Sequence, residues 1–259
     1  MDRAAIFWDI SPYVTLAVLI VGSWWRYRYD KFGWTSRSSQ LYESRLLQIA
    51  SPIFHFGILT VFAGHVMGLV IPPRFTDALH ISQEAYHVQA VLLGTIAGTA
   101  TVIGIGLLIY RRMTSGPVRM ATTLSDKVMY VVLALALLVG LYCTLLGTGM
   151  GGHAHVYHYR NTVGVWFRGI FDLRPGGENM VGAPLDYQLH AAIGMVLFCL
   201  WPFTRLVHAF SAPIGYLFRP YIVYRSREAV RSRDAAGDKK EVKKEDREIV
   251  GSAPRRRGW

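Results

Sequence analysis

Five stretches of about twenty mostly apolar residues, parted by short blocks of charge, leave this chain few folds to choose from. A segment of that length crosses a hydrocarbon layer about 30 Å thick as a helix, the form in which each backbone N–H and C=O is satisfied within the segment. The stretches occupy residues 13–25, 52–71, 88–110, 128–148 and 185–210. The first has the shortest apolar part and is extended by flanking aromatics. Only 17% of the 259 residues are charged against 52% hydrophobic, with a mean hydropathy of +0.26. A soluble domain carries about 25% charged residues. The expected fold class is therefore all-α, a polytopic membrane bundle of five transmembrane helices over residues 1–224, with a charged tail over 225–259. No internal repeat is visible, and residues 149–184 form the one long connection.

Flanking charge sets the orientation. Arg26, Arg28, Lys31, Arg37 and Arg45 follow the first stretch, Arg111, Arg112, Arg119 and Lys127 the third, and Arg219, Arg225, Arg227, Arg231 and Arg233 the fifth. The second is followed by Arg74 alone, and the fourth by Arg160, Arg168 and Arg174 across a longer connection. Lysine and arginine favour the cytoplasmic side, which puts the N-terminus outside and the C-terminus in the cytoplasm. The net charge of +11 is thus a matter of topology, and nucleic acid is not an expected partner. Cys143 and Cys199 lie within apolar stretches, as small packing residues rather than a disulfide or thiolate site. The first stretch does not read as a cleavable signal: Asp2 and Asp9 precede it, and WWRYRY behind it is an interfacial anchor. The tail, rich in DKKEVKKEDRE, reads as a solvated cytoplasmic segment or a docking arm for a cytoplasmic partner.

Imidazoles inside a bilayer are costly without a partner. Two stretches carry two each: His55 and His65 in SPIFHFGILTVFAGH, and His190 and His208 in LHAAIGMVLFCLWPFTRLVH. A lone histidine in such a place is most often a hydrogen-bonded core residue, but four in this arrangement point to metal, and to haem iron, which takes axial histidines in a bundle core. The two helices run in opposite directions, so the same-level pairs are His55 with His208 on the inner side and His65 with His190 on the outer. The separations do not match: 18 residues span about 27 Å in one helix, and 10 residues about 15 Å in the other. A kink at Pro202 is the expected place to absorb the difference. Gly57, Gly64, Gly68 and Gly194 sit near these histidines, where small residues admit either a flat macrocycle or a neighbouring helix.

These segments resemble the gamma, cytochrome b, subunit of membrane-bound respiratory nitrate reductase. The resemblance rests on DISPYVTLAVLIVGSWWRYRYDKFGW, SPIFHFGILTVFAGHVMGLVIP, RRMTSGPVRMATTLSD and LHAAIGMVLFCLWPFTRLVHAFSAPIGYLFRPY, and covers the chain to about residue 227. It implies five helices in a bacterial plasma membrane, holding two haem b, with His65 and His190 on the outer haem iron and His55 and His208 on the inner. It further implies that quinol, as menaquinol, is oxidised near the outer haem. Electrons then pass to an iron–sulfur (beta) subunit and on to a molybdenum catalytic (alpha) subunit that reduces nitrate. This chain has no cysteine pattern for iron–sulfur clusters of its own.

The family's best-studied type carries a lysine in the connection after the second helix, implied to meet the quinone oxygen. Here ISQEAYHVQ places Tyr86 at that position and His87 beside it. The quinol contact is expected at His87, Tyr86 or the free ring nitrogen of His65, and His80 is expected in a loop. Arg111 and Arg112 end the third stretch; their role is topological, with haem propionates as possible partners. His153, His155 and His158 have a zinc-like spacing but read as a solvated loop. Two other readings stay open: the cytochrome b anchor of another respiratory oxidoreductase, and a haem-free proton-coupled transporter.

Overall fold

The computed structural model describes residues 2–31, 33–34, 39, 42–147 and 157–211. The division between bundle and tail at 224/225, and the tail itself, lie outside these residues.

Helix α1 runs Arg3–Tyr29, starting where the Asp2 side chain caps the Ala4 amide. It begins ten residues before the apolar core of the first stretch. Asp9 is accommodated inside it because its carboxylate accepts the Gly177 amide at 2.7 Å. Helix α2, Arg45–His65, continues through a π turn, Val66–Val70. A short α3, Pro73–Ala78, leads to α4, Gln83–Thr114, whose first turn is capped by the Ser82 hydroxyl. After the one-turn α5, Gly116–Met120, comes α6, Leu124–Tyr142. Its start is fixed by a reciprocal capping box between Thr123 and Asp126, and a second π turn, Cys143–Gly147, ends it. Helices α7, Val163–Phe171, and α8, Glu178–Val181, lie in the long connection before α9, Leu185–Leu200.

Helices α1, α2, α4 and α6 are long and apolar enough to cross a membrane, the second and fourth counted with their π turns. Their apolar faces are largely exposed: Phe56 is 74% exposed and Ile96 60%, so the medium around them must be hydrocarbon. The fifth stretch departs from a continuous helix. Its α-helical part has 16 residues, followed by a 3₁₀ turn at Trp201–Phe203, an extended Thr204, and a second 3₁₀ segment at Arg205–Ala209. The break falls at Pro202, which has no N–H to continue the ladder.

Consecutive members of the series α2, α4, α6, α9 and α1 pack against one another. Small residues set the closest approach. Gly57 of α2 lies against Ala97 and Thr101 of α4, and a Cβ on Gly104 would stand 2.6 Å from the Phe54 backbone nitrogen. Among the described residues, α2 and α9 have no comparable packing against each other. At the end bearing the π turns, α7 and α8 cover α1. Trp166 donates to the Trp8 carbonyl at 2.9 Å, and the two indoles meet edge to face.

Candidate histidine-pair sites

Each histidine of α2 faces one from the fifth segment across the space between α2 and α9. The ring centres of His65 and His190 are 5.9 Å apart, and those of His55 and His208 are 6.1 Å apart. Both pairs match the same-level assignment made from chain direction. The unequal spacings are reconciled by the break: His208 sits in the last 3₁₀ segment, redirected by the extended Thr204.

Three of the imidazoles are oriented by the backbone. The Nδ1–H of His55 donates to the Ser51 carbonyl at 2.7 Å, that of His65 to Val61 at 2.8 Å, and that of His208 to Arg205 at 2.6 Å. A carbonyl only accepts, so Nδ1 carries a proton, and Nε2 is the ring nitrogen left to meet a metal. His190, whose Nδ1 is buried with no hydrogen-bond partner among the described residues, lies close against the α6 backbone: a Cβ on Gly140 would come within 2.7 Å of its Cε1.

Haem fits this arrangement on three counts. A metal bound at about 2 Å by an imidazole on each side sets ring centres roughly 6 Å apart, the separation seen twice. Positions for a Cβ on Gly64 and Gly194, next to His65 and one turn after His190, meet nothing within 4 Å, which leaves room for a flat ring. Gly57 and Gly68, by contrast, serve close packing, against α4 and Tyr159. Finally, among the described residues no three His, Cys, Asp or Glu side chains converge. A bare ion such as zinc takes three or four protein ligands, whereas haem iron needs only two. His153 and His155 lie outside the described residues, and His158 is exposed.

The arginines at the C-terminal end of α4 are engaged within the protein. Arg111 is 2% exposed and spends its guanidinium on the Glu43 carboxylate and carbonyl and on Ser39. Bonds from the Leu46 amide and Arg111 hold the Glu43 carboxyl below its ordinary range. Arg112 donates to the Tyr130 and Thr122 hydroxyls.

At the opposite end the first turn of α4 carries Tyr86 and His87, both half-buried. The Tyr86 hydroxyl meets that of Tyr159 at 3.3 Å, and the Arg160 guanidinium stands 4.0 Å above its ring. Arg160 is 4% exposed, donates to Thr76 and the Ile71 carbonyl, and has its own carbonyl held by Arg168. Tyr159 packs on Gly68, one turn beyond His65, and stacks on Tyr187. Burial pushes the Tyr159 phenol well above its usual range, so it is a neutral hydrogen-bonding group. No described residue hydrogen-bonds His87. His80 has φ 58°, a turn conformation that agrees with its loop reading. Tyr159 was not singled out in the sequence, and Arg160 only as a flanking charge, because they fall in a connection with no apolar periodicity.

A helical membrane bundle with two facing imidazole pairs, at opposite ends of α2, defines the class of protein. The family model of the nitrate reductase gamma subunit matches residues 4–227, and the chain belongs to that family. It is 61% identical over 98% of its length to the nitrate reductase-like protein NarX of Mycobacterium tuberculosis, and covers 36% of that protein. It thus spans about a third of the length of these mycobacterial relatives. It is 43% identical to the nitrate reductase gamma chain of Bacillus subtilis, over 86% of this chain and 98% of that one. To the respiratory nitrate reductase 2 gamma chain of Escherichia coli it is 36% identical, over 85% and 96%.

Proposed function

We propose that this chain is the dihaem cytochrome b subunit of a quinol:nitrate oxidoreductase in a bacterial plasma membrane. The observation that carries the reading is the pair of imidazole clamps, with ring centres 5.9 and 6.1 Å apart, between α2 and the fifth segment. His65 and His190 would hold the outer haem and His55 and His208 the inner. When bound, haem supplies a one-electron carrier at each of two depths, about 15 Å apart along α2.

The fifth segment is taken as a fifth crossing. Its α-helical part rises roughly 24 Å and its 3₁₀ turns extend it, so it reaches across despite the break. Arginines gather at the end holding Arg26, Arg111 and Arg205, which makes that end cytoplasmic and the N-terminus external. Quinol, taken as menaquinol, would enter on the outer side near Tyr86, His87 and His65. Arg160 fixes the Tyr86 ring, so the phenol presents one hydroxyl in a set direction. His87 keeps a ring nitrogen to accept a quinol proton and pass it to the outer water. Electrons leave to an iron–sulfur beta subunit and a molybdenum alpha subunit, where nitrate is reduced.

The test is purification of the complex in mild detergent, with haem counted by difference spectroscopy and reduction followed after adding a quinol analogue. Two haems per chain, both reduced by quinol, are expected. A chain without a b-type spectrum would overturn the reading in favour of a haem-free transporter.

A further inference from the structure

The break in the fifth segment is held by side chains from two other helices, and the hold ends on a histidine. Arg26 of α1 donates one Nη to the carbonyls of Pro202 and Thr204, at 2.6 and 2.9 Å. Ser125 at the start of α6 donates to the Phe203 carbonyl at 2.9 Å. These carbonyls line the break, where Pro202 and the extended Thr204 interrupt the α-helical ladder. One residue on, Arg205 forks onto Asp126 of α6, with Nε to Oδ1 at 2.7 Å and Nη2 to Oδ2 at 2.8 Å. Asp126 is 4% exposed and also caps Thr123, so it has one rotamer to offer. The carbonyl of that same Arg205 accepts the His208 Nδ1–H.

We infer that Asp126 and Arg205 form a strap that positions His208, with Arg26 bracing the break from the other side. The strap acts on the imidazole, not on the reacting atoms, so these are positioning residues. Non-helical backbone inside a membrane protein persists where protein groups satisfy it, and Pro202 and Thr204 are both buried. His55 has no such device: its Nδ1 partner is a carbonyl of its own continuous helix. The two ligands of the inner pair are therefore held differently, one by a regular helix and one by a break pinned from outside. A partner that fixes the Nδ1–H also strengthens the ring as a donor through Nε2, which favours the oxidised metal.

The inference rests on the inner pair holding haem. If that fails, the wild-type complex shows no inner b-type component. If only the strap fails, the wild type shows both components and the variants match it. The experiment is potentiometric titration of the purified complex with the spectral components followed separately. A second measurement is the transfer of each haem to excess apo-myoglobin. In Asp126→Asn the inner component should move to higher potential and lose haem about 10–100-fold more readily, while the outer component is unchanged. Asp126→Asn removes a charge, so the double variant Asp126→Asn/Arg205→Gln, which leaves net charge unchanged, separates geometry from field. The upward shift should persist there, and Asp126→Glu should restore part of the wild-type behaviour. Unchanged inner potential and haem transfer in the double variant, or equal disturbance of both components, would overturn the strap.

Discussion

His65 and His190 meet on one side of the bundle, and His55 and His208 on the other, so an alanine at any one of them empties one proposed site. His65→Ala and His190→Ala should lose the same component of a low-temperature reduced-minus-oxidised spectrum. His55→Ala and His208→Ala should lose the other. Shared loss between His65→Ala and His208→Ala would contradict the pairing. The residue pair at the start of α4 divides in the same way. Tyr86 is tied to Tyr159 and Arg160, whereas His87 has no protein partner among the described residues. His87→Ala should therefore keep both haems but slow their reduction by a quinol analogue by about 10²-fold or more, the usual contribution of a positioned base. Tyr86→Phe should slow it less, since the ring and its cation contact remain. Stopped-flow reduction of the haems measures both variants, and wild-type rates in His87→Ala would leave the ring of His65 as the better acceptor.

The elements were legible to different depths. Four helices followed from hydropathy because a membrane span announces itself in composition. The start of α1 did not: Asp9 looks like an end to the helix until the amide of Gly177, far along the chain, is seen to bond its carboxylate. The pairing of the four histidines was readable because chain direction alone fixes which ends meet. What holds them was not, since the Arg26 bonds to Pro202 and Thr204 join residues over 170 positions apart. Nor did the sequence divide its glycines, for Gly57 and Gly68 face protein while Gly64 and Gly194 face open space. That division makes a prediction. Gly140→Ala would put a methyl group within 2.7 Å of the His190 ring and displace it, so the outer spectral component alone should weaken. Gly104→Ala strikes the Phe54 backbone, where nothing flexible can yield. It should cost about 1–3 kcal/mol of bundle stability, read by thermal unfolding in detergent, and because Phe54 adjoins and touches His55 the His55–His208 component should be the one disturbed.

Across the described residues the two pairs lie at opposite ends of α2, and most of the lysines and arginines lie at the His55–His208 end. The basic residues Arg26, Arg111, Arg112 and Arg205 surround the inner pair's end, while Tyr86, His87 and the Tyr159–Arg160 cluster lie beyond the outer pair. With the basic end in the cytoplasm, a quinol oxidised beside His65 would release its two protons to the exterior. Its two electrons would cross to reduce nitrate, where two protons are taken up from the cytoplasm. Two charges are then separated per quinol without any proton having to cross the protein. Each charge moved against 100 mV stores about 2.3 kcal/mol, so a sustained potential would become a brake on turnover. Sealed vesicles containing the complex, given a quinol analogue and nitrate, should develop a potential seen by a voltage-sensitive dye. Turnover should quicken when an ionophore collapses it. Steady nitrate reduction with no potential would place the quinol on the cytoplasmic side, near His55 and His208, and reverse the roles of the two pairs.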